Sequence, residues 1–261
     1  MIGRIYAIAL NTFREAIRHR ILYGVGVVVL AFNLFATVLG EMSLHEEARI
    51  ARDVGLGGVS LFGAITAIYL GVSLLYGEIQ RKTIHTIIAK PIARWEFVVG
   101  KYLGMAVTLT LLVILFAMTM ALALWLQDVP FGVSVTKALI LTYMEVLVVA
   151  AMAIFFSSFS TPFLSGIFTF GLFFLGRVTP EMRAFADRDD WMGTMCSAAL
   201  KILPDLHLFS ISGSVVDEKH VSVHGDFVQW SYVGTAGLFA LLYVGMLLVL
   251  SATIFSRRDF V

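Results

Sequence analysis

The sequence has little of what stabilises secreted domains or marks nucleic-acid-binding proteins. It contains one cysteine, Cys196, among 261 residues, which excludes an intrachain disulfide. We expect Cys196 to be a small apolar residue rather than a reactive thiol. Charged residues make up 14% of the chain, whereas soluble domains carry about 25%. The formal net charge of +1 gives no basic signal for a nucleic-acid partner.

Motifs for nucleotide binding and intramembrane proteolysis are also missing. In the one Gly-Lys pair, Gly100-Lys101, Trp95 stands where a phosphate-binding loop has its first glycine. All six histidines fall outside the spans predicted below, which argues against an intramembrane serine protease. Glu46-Glu47 is followed by Ala51 where a glutamate-type motif needs arginine. We therefore expect no enzymatic activity and no cofactor in this chain.

Long apolar segments dominate the sequence. Hydrophobic residues make up 59% of it, and the mean hydropathy is +0.89. The apolar segments have the length that a helix needs to cross about 30 Å of hydrocarbon. The pattern predicts an all-α membrane protein with one transmembrane domain, residues 1–261. The six predicted spans are about 21–40, 59–76, 102–126, 138–156, 163–178 and 232–255.

Residues 1–20 have the periodicity of an amphipathic helix lying in the membrane interface. No small-residue cleavage site follows, which argues against a signal peptide. Its predicted apolar side comprises Ile2, Ile5, Tyr6, Ala9, Phe13, Ala16 and Ile17.

Two polar segments precede the second and sixth spans. Ser43 and Glu46 are spaced as a capping box and predict a short helix that Gly55, Gly57 and Gly58 end. The extracytoplasmic segment 179–230 is predicted to be partly helical over 189–203, where Met192 and Met195 contribute to an apolar face.

A metal site in the extracytoplasmic segment is not expected. His220 and His224 are four residues apart, and Asp217 lies near them. The segment has an extended pattern, which would place the two histidines about 13 Å apart. Trp191 and Trp230 are typical of the outer membrane interface.

The segment 78–101, between the second and third predicted spans, is the longest polar interruption between two clearly apolar spans. Ile84, Ile87 and Ile88 share one helical face, and Pro91 ends that turn. The pattern predicts a short amphipathic helix. Its charged residues are Arg81, Lys82, Lys90, Arg94 and Lys101 against Glu78 and Glu96.

The distribution of positive charge predicts the orientation. Segments on the side of the N-terminus hold 11 cations and four acids, a net +7, whereas the opposite side holds eight cations and 13 acids, a net −5. Cytoplasmic loops carry the excess of Lys and Arg. We therefore expect both termini in the cytoplasm.

Glu145 is the only acidic residue well inside a predicted span. A carboxylate at that depth costs several kcal/mol unless it is paired, protonated or hydrated, which makes it a functional candidate. Thr142 or Tyr143 is expected to hydrogen-bond it. Glu145 either lines a path, couples a proton or is a satisfied structural carboxyl. We expect Glu145→Gln to preserve folding and to change transport.

The chain resembles the membrane subunit of an ABC transporter of the ABC-2 permease superfamily, which has the type V exporter fold. The N-terminal helix, Phe13–Arg20, is similar to the connecting helix of that superfamily. Lys82 stands where the family often has glycine. The residues that carry the resemblance are Glu78, Thr83, Pro91, Arg94, Gly100 and Lys101, with Pro204-Asp205-Leu206 and the tail FSRRDF at 255–260.

The resemblance implies a dimeric permease, homo- or heterodimeric, in a bacterial inner membrane. Two copies of a separate ATPase subunit would hold ATP and Mg and push on the 78–101 segment. Implied cargo is a lipid-like or hydrophobic molecule to be exported or extracted; force transmission to an extracytoplasmic envelope partner is the other possibility. The implied contact residues are Glu78, Arg81, Lys82, Thr83, Ile84, Ile87, Ile88, Pro91 and Arg94.

Other interpretations remain open for these residues and for the chain. Glu78 can be an ordinary interfacial charge, and Arg81, Lys82 or Arg94 can contact anionic lipids of the membrane instead of an ATPase. The isoleucines can be buried in the interface. A secondary transporter, a channel or a membrane-anchoring subunit of an envelope complex is the alternative function.

Overall fold

The computed structural model describes residues 2–41, 47–80, 93–126, 131–186, 190–201, 203–210, 214–216, 219–221 and 228–257. The helices are α1 (Ile2–Arg18), α2 (Arg20–Glu41), α3 (Glu47–Gln80), α4 (Arg94–Leu126), α5 (Val133–Ser157), α6 (Pro162–Arg177), α7 (Thr179–Ala186), α8 (Trp191–Leu200) and α9 (Trp230–Arg257). Between α8 and α9 lie a 3-10 helix (Leu206–Phe209) and an antiparallel pair of strands, β1 (Ser214–Val216) and β2 (Lys219–Val221).

Four of the described helices, α3, α4, α5 and α9, are each long and apolar enough to cross a membrane. Two bent pairs also meet that test: α1 with α2, at an angle of 62°, and α6 with α7, at 65°. The total is six if each bent pair is one span. The helical membrane class is therefore confirmed, and the six predicted spans agree with the upper count.

The predicted break before the second span is wrong, because α3 runs without interruption from Glu47 to Gln80. Glycine weakens a helix in water, but a helix in hydrocarbon has no other way to satisfy its backbone hydrogen bonds. Gly58 instead makes room for a neighbouring ring. A Cβ atom there would lie 2.6 Å from Cδ1 of Phe32 on α2.

Two other predicted boundaries also shift. The third span was predicted from residue 102, but α4 already begins at Arg94, because its polar first turns are covered by α1. The helix predicted over 189–203 is shorter and spans Trp191–Leu200. The helix packs against α7, but Met192 and Met195 of its predicted apolar face are 43% and 63% exposed.

The centre of the bundle is α5, of which about two-thirds is buried, mainly against α3 and α9. Small residues let α3 and α5 approach closely: a Cβ atom at Gly71 would lie 2.5 Å from Cβ of Ala153. Lipid offers no hydrophobic driving force between helices, so such close van der Waals packing is what holds them together. Two candidate functional regions, described next, lie in this bundle.

Candidate functional site

The start of α4 is held against the end of α9. Arg94 donates hydrogen bonds to the carbonyl oxygens of Phe255, at 3.0 Å, and Ser256, at 2.8 Å. The ring of Phe97 stacks on that of Phe255, with centroids 5.7 Å apart. The last carbonyls of a helix have no partner within the helix. Arg94 therefore caps α9 and fixes the first turn of α4 to it.

The N-terminal helix α1 lies along the same turns of α4 with almost no space between the backbones. A Cβ atom at Gly100 would lie 2.8 Å from Cβ of Ile8. A Cβ atom at Gly104 would overlap the carbonyl oxygen of Ala9 and lie 2.6 Å from Cβ of Thr12. Both glycines are thus needed for this contact, and α1 cannot shift inward without moving α4.

Charged residues join the two helices beside these glycines. Arg4 Nη1 lies 3.9 Å from Glu96 Oε2, and Lys101 Nζ lies 3.6 Å from Glu15 Oε2. Glu96 and Lys101 are both buried. Buried charges are costly to separate from their partners, so these contacts hold α1 in one position along α4.

The face of α1 that packs on the bundle is narrower than predicted. Ala16 is buried as expected, but Thr12 is the other buried residue of this helix. Ile2 and Tyr6, predicted on the same apolar side, are 80% and 67% exposed. They lie on a flank that the described part of the chain leaves open, where an interfacial helix meets lipid.

We call this region the α1–α4–α9 junction. It brings together α1, the beginning of α4 and the end of α9. Its residues are Arg4, Ile8, Ala9, Thr12, Glu15, Arg94, Glu96, Phe97, Gly100, Lys101, Gly104, Phe255 and Ser256.

Most of the predicted contact residues precede the junction in the chain. Glu78 lies in the last turn of α3, and its side chain is outside the described residues. The predicted short helix therefore stays a prediction, but the segment that contains it leads directly into α4. The predicted contact residues Arg81, Lys82, Thr83, Ile84, Ile87, Ile88 and Pro91 are also outside the described residues.

Glu145 is fully buried and has both carboxylate oxygens occupied. Arg177 Nε donates to Oε1 at 2.8 Å, and Arg177 Nη2 donates to Oε2 at 3.3 Å. Ser60 Oγ donates to Oε2 at 2.7 Å. This fork-shaped, charge-assisted contact joins α3, α5 and α6 in the interior of the bundle.

The predicted partners of Glu145 are wrong. The hydroxyl of Tyr143 instead pairs with Thr110 Oγ1, at 2.8 Å. Tyr143 is two residues before Glu145 on α5 and therefore faces a different direction. Thr142, three residues before it, is on the same side of the helix, but Ser60 and Arg177 already occupy both carboxylate oxygens. Of the interpretations left open by the sequence, the satisfied structural carboxyl is the one that this geometry supports.

Arg177 is the residue of this pair that sequence reasoning missed. The six predicted spans hold one acidic residue, Glu145, and one basic residue, Arg177. Pairing the two would have found the contact, because charges inside a membrane pair with one another. Its position at the end of a short span made Arg177 resemble an interfacial charge.

A comparison with protein families assigns the chain. A family model described as ABC-2 family transporter protein matches residues 6–260. The chain belongs to the ABC-2 transporter family. A search of curated proteins gives no match. The resemblance inferred from the sequence is therefore confirmed, and membership of this family as a permease implies an ATPase partner.

At the opposite end of the permease from the junction, the segment before α9 is fastened to the spans. Asp205 accepts hydrogen bonds from Thr179 Oγ1, at 2.8 Å, and from Arg183 Nη2, at 2.6 Å. The buried Lys137 donates to the carbonyl oxygen of Val228 at 2.7 Å. The described part of the segment 179–230 is thus partly helical and is attached to the bundle by hydrogen bonds.

His207, in the segment 179–230, is expected to make the stability of the permease depend on pH. Burial lowers the pKa of His207 below its usual value, against the carboxylates of Asp205 and Glu181, which raise it. Arg177 and Arg183 lower it further. A lowered pKa in the folded state means that the neutral imidazole is favoured. The contribution of the neutral His207 to the stability of the folded state is complete above the unfolded pKa of about 6.5. This contribution is lost as the pH falls below that value.

We therefore expect the thermal unfolding midpoint of the purified permease to fall as the pH is lowered from about 7.5 to about 5.5. His207→Gln should remove part of this dependence, because glutamine does not titrate. His224→Gln, in the same segment, is the matched control. An unchanged pH profile in His207→Gln would rule out this histidine as the cause.

Proposed function

We propose that the permease is one half of a dimeric, ATP-driven transporter and that it receives mechanical work through the α1–α4–α9 junction. The observation that carries this proposal is the position of the junction in the chain. On α4 the junction begins at Arg94, shortly after the short helix that the sequence predicts within the 78–101 segment. The first turns of α4 are bound on one side to α1 and on the other to α9. A displacement of the start of α4 would move both.

The physical basis of the coupling is the lack of free space in the junction. Gly104 brings the backbones of α1 and α4 into contact, and Arg94 holds the end of α9 through two hydrogen bonds. Close-packed interfaces transmit a displacement instead of absorbing it. Hydrolysis of ATP takes place in two copies of a separate ATPase chain, which hold ATP and Mg, since this sequence has no phosphate-binding loop.

The junction faces the cytoplasm in this proposal. Its end of the bundle carries Arg14, Arg18 and Arg20 in addition to the cations of the junction itself. Positive charge collects in the cytoplasmic parts of membrane proteins. Both termini then lie in the cytoplasm, and the permease resides in a bacterial inner membrane.

A second permease copy or a homologue completes the path. In the described part of the chain, the one acidic group deep in the bundle, Glu145, is neutralised by Arg177 and does not face an open channel. A lipid-like or hydrophobic cargo fits an assembly whose path is shared between two apolar bundles. Force transmission to an envelope protein is the other outcome that this mechanism allows.

ATP hydrolysis by the purified complex tests the proposal. We expect hydrolysis to require the ATPase chain and to respond to the permease and to added cargo. Transport by the permease alone, driven by an ion gradient, would identify a secondary transporter. Hydrolysis that is indifferent to the permease would identify an anchoring subunit.

Ile87→Glu tests the contact with the ATPase. We expect the ATPase to be lost from the copurified complex, with normal membrane insertion, because a carboxylate replaces an apolar side chain in the predicted contact face. Met195→Glu is the matched control, since Met195 is exposed on α8 at the opposite end. Retention of the ATPase at wild-type strength in Ile87→Glu would contradict the docking role.

A further inference from the structure

A cavity of about 480 Å³ lies between α2 and α4 on the outer surface of the bundle. We call it the α2–α4 groove. Ligand sites have volumes of about 300–1,000 Å³, so the groove is large enough for a ligand. Tyr23 and Val27 are 65% and 68% exposed, which shows that the groove is open sideways, toward lipid. Its walls include Tyr23, Gly26, Val27, Leu111, Leu115 and Thr119.

The groove has the length of one hydrocarbon chain in one leaflet. At 1.5 Å per residue, its walls extend about 12 Å along α2, over Leu22–Leu30, and about 17 Å along α4, over Thr108–Thr119. One leaflet contributes about 15 Å of hydrocarbon. The walls are almost entirely apolar, which excludes a polar solute as the natural occupant.

The two ends of the groove differ in chemistry. At the end farther from the bend between α1 and α2, Asn33 Nδ2 donates to Thr119 Oγ1 at 2.9 Å, so a hydrogen bond between α2 and α4 closes that end. The other end begins at Ile17, beside the bend between α1 and α2. Arg18 and Arg20 are exposed on either side of this bend.

The two arginines are exposed, and the bend that carries them is held in place. Among the described residues, neither Arg18 nor Arg20 forms an ion pair. His19, between them, contacts Tyr69 of α3, with Nδ1 3.3 Å from the tyrosine hydroxyl and the rings edge to face. This contact fixes the bend against α3. Arg18 directly follows Ile17, where the groove begins, and Arg20 lies two residues before Leu22 of its wall.

We propose that the α2–α4 groove binds one acyl chain of an anionic phospholipid, with the headgroup phosphate held by Arg18 and Arg20. Arginine binds phosphate through charge-assisted hydrogen bonds. Bound there, the lipid connects α1, α2 and α4. This inference goes beyond the ATP-driven function and does not depend on it.

Photolabelling of the full-length chain in phosphatidylcholine nanodiscs tests the proposal. The probe is phosphatidylglycerol with a photoreactive group in the middle of one acyl chain, compared with phosphatidylcholine carrying the same chain. Two arginines at about 1 kcal/mol each predict a preference of about 30-fold for the anionic probe at equal mole fraction. Mass spectrometry should place the label on residues 22–30 and 108–119.

Two kinds of variant separate the groove from the headgroup site. A Cβ atom at Gly26 would lie 3.7 Å from Leu115 Cδ2, so Gly26→Leu fills the groove and should abolish labelling there. Gly24→Leu is the matched control, because the space around Gly24 is open. Arg18→Gln with Arg20→Gln should remove the preference for the anionic probe. These exposed substitutions keep the test valid if Gly26→Leu fails to fold.

Equal labelling by the two probes would overturn the proposal, as would undiminished labelling in Gly26→Leu. A third outcome would also overturn it. If the groove takes no label and Gly26→Leu changes the mass of the assembly in the nanodisc, a second permease copy fills the groove.

Discussion

Arg177→Met is expected to lower the free energy of unfolding of the permease by about 3–5 kcal/mol, because it leaves the buried carboxylate of Glu145 without its cation. Methionine keeps the apolar stem, so the variant removes charge and hydrogen bonds with little change in packing. Chemical unfolding in detergent micelles, followed by circular dichroism, measures the effect. Arg183→Met is the matched control: the Arg183 side chain in the ion pair with Asp205 is 55% exposed, and the expected cost is at most about 1 kcal/mol.

Replacing Glu145 instead of Arg177 should lower the free energy of unfolding by a smaller amount. Glu145→Gln keeps an acceptor for Ser60 and leaves behind Arg177, whose side chain is 31% exposed and can be hydrated. We expect a loss of about 1.5 kcal/mol, at the low end for a hydrogen bond to a charged group. The double variant, Glu145→Gln with Arg177→Met, should be more stable than Arg177→Met alone. Equal costs for the two single variants would contradict this account.

Transport by the Glu145→Gln variant tests whether Glu145 has a role beyond stability. The sequence predicts that this variant folds and that its transport changes. Because the carboxylate ties α3, α5 and α6 together, its loss should alter the movement of these helices during transport. Transport that equals that of the wild type would restrict Glu145 to a role in stability.

Gly104→Leu should uncouple ATP hydrolysis from transport. The new side chain cannot fit between α1 and α4, because even its Cβ atom would overlap the carbonyl oxygen of Ala9. We expect α1 to be displaced at a cost in stability of about 1–3 kcal/mol, the usual cost of overpacking. Transport per ATP hydrolysed should fall by about 5- to 150-fold, the range of coupling free energies between distant sites.

The measurement is the ratio of cargo transported to phosphate released in proteoliposomes that contain the permease and its ATPase. Gly245→Leu on α9 is the matched control, because the space around Gly245 is open. Its ratio should equal that of the wild type. An unchanged ratio in Gly104→Leu, in a complex that still binds the ATPase, would show that the contact of α1 with α4 does not carry the work.

The sequence predicted the helical membrane class, the family and the approximate positions of the long apolar helices, because long apolar segments and a few polar residues between them determine these features. Two of the three helix boundaries that it misplaced have the same physical reason. The glycines near Gly58 and the charges of Arg94–Lys101 look like breaks when each helix is judged alone. Both stretches are helical because a neighbouring helix, α2 or α1, packs against them.

The candidate site was predicted in part. The sequence singled out Arg94 as a contact residue and Glu145 as a carboxylate inside a span, but their partners in the structure, Ser256 and Arg177, are 162 and 32 residues away in the chain. Local spacing cannot give such contacts. The close approach at Gly104 is equally invisible in one sequence, since a glycine in a membrane helix does not reveal which neighbour it faces.

The sidedness of the segment before α4 tests the central claim most directly. In a Cys196→Ser background, Lys82→Cys and Lys90→Cys are exposed in turn to a membrane-impermeant maleimide. Trp191→Cys, at the opposite end, is the reference. We predict that Lys82→Cys and Lys90→Cys react in inverted membrane vesicles and not in spheroplasts, whereas Trp191→Cys reacts in spheroplasts. Labelling of Lys82→Cys or Lys90→Cys in intact spheroplasts would place the segment on the outer side, where no ATPase can act on it.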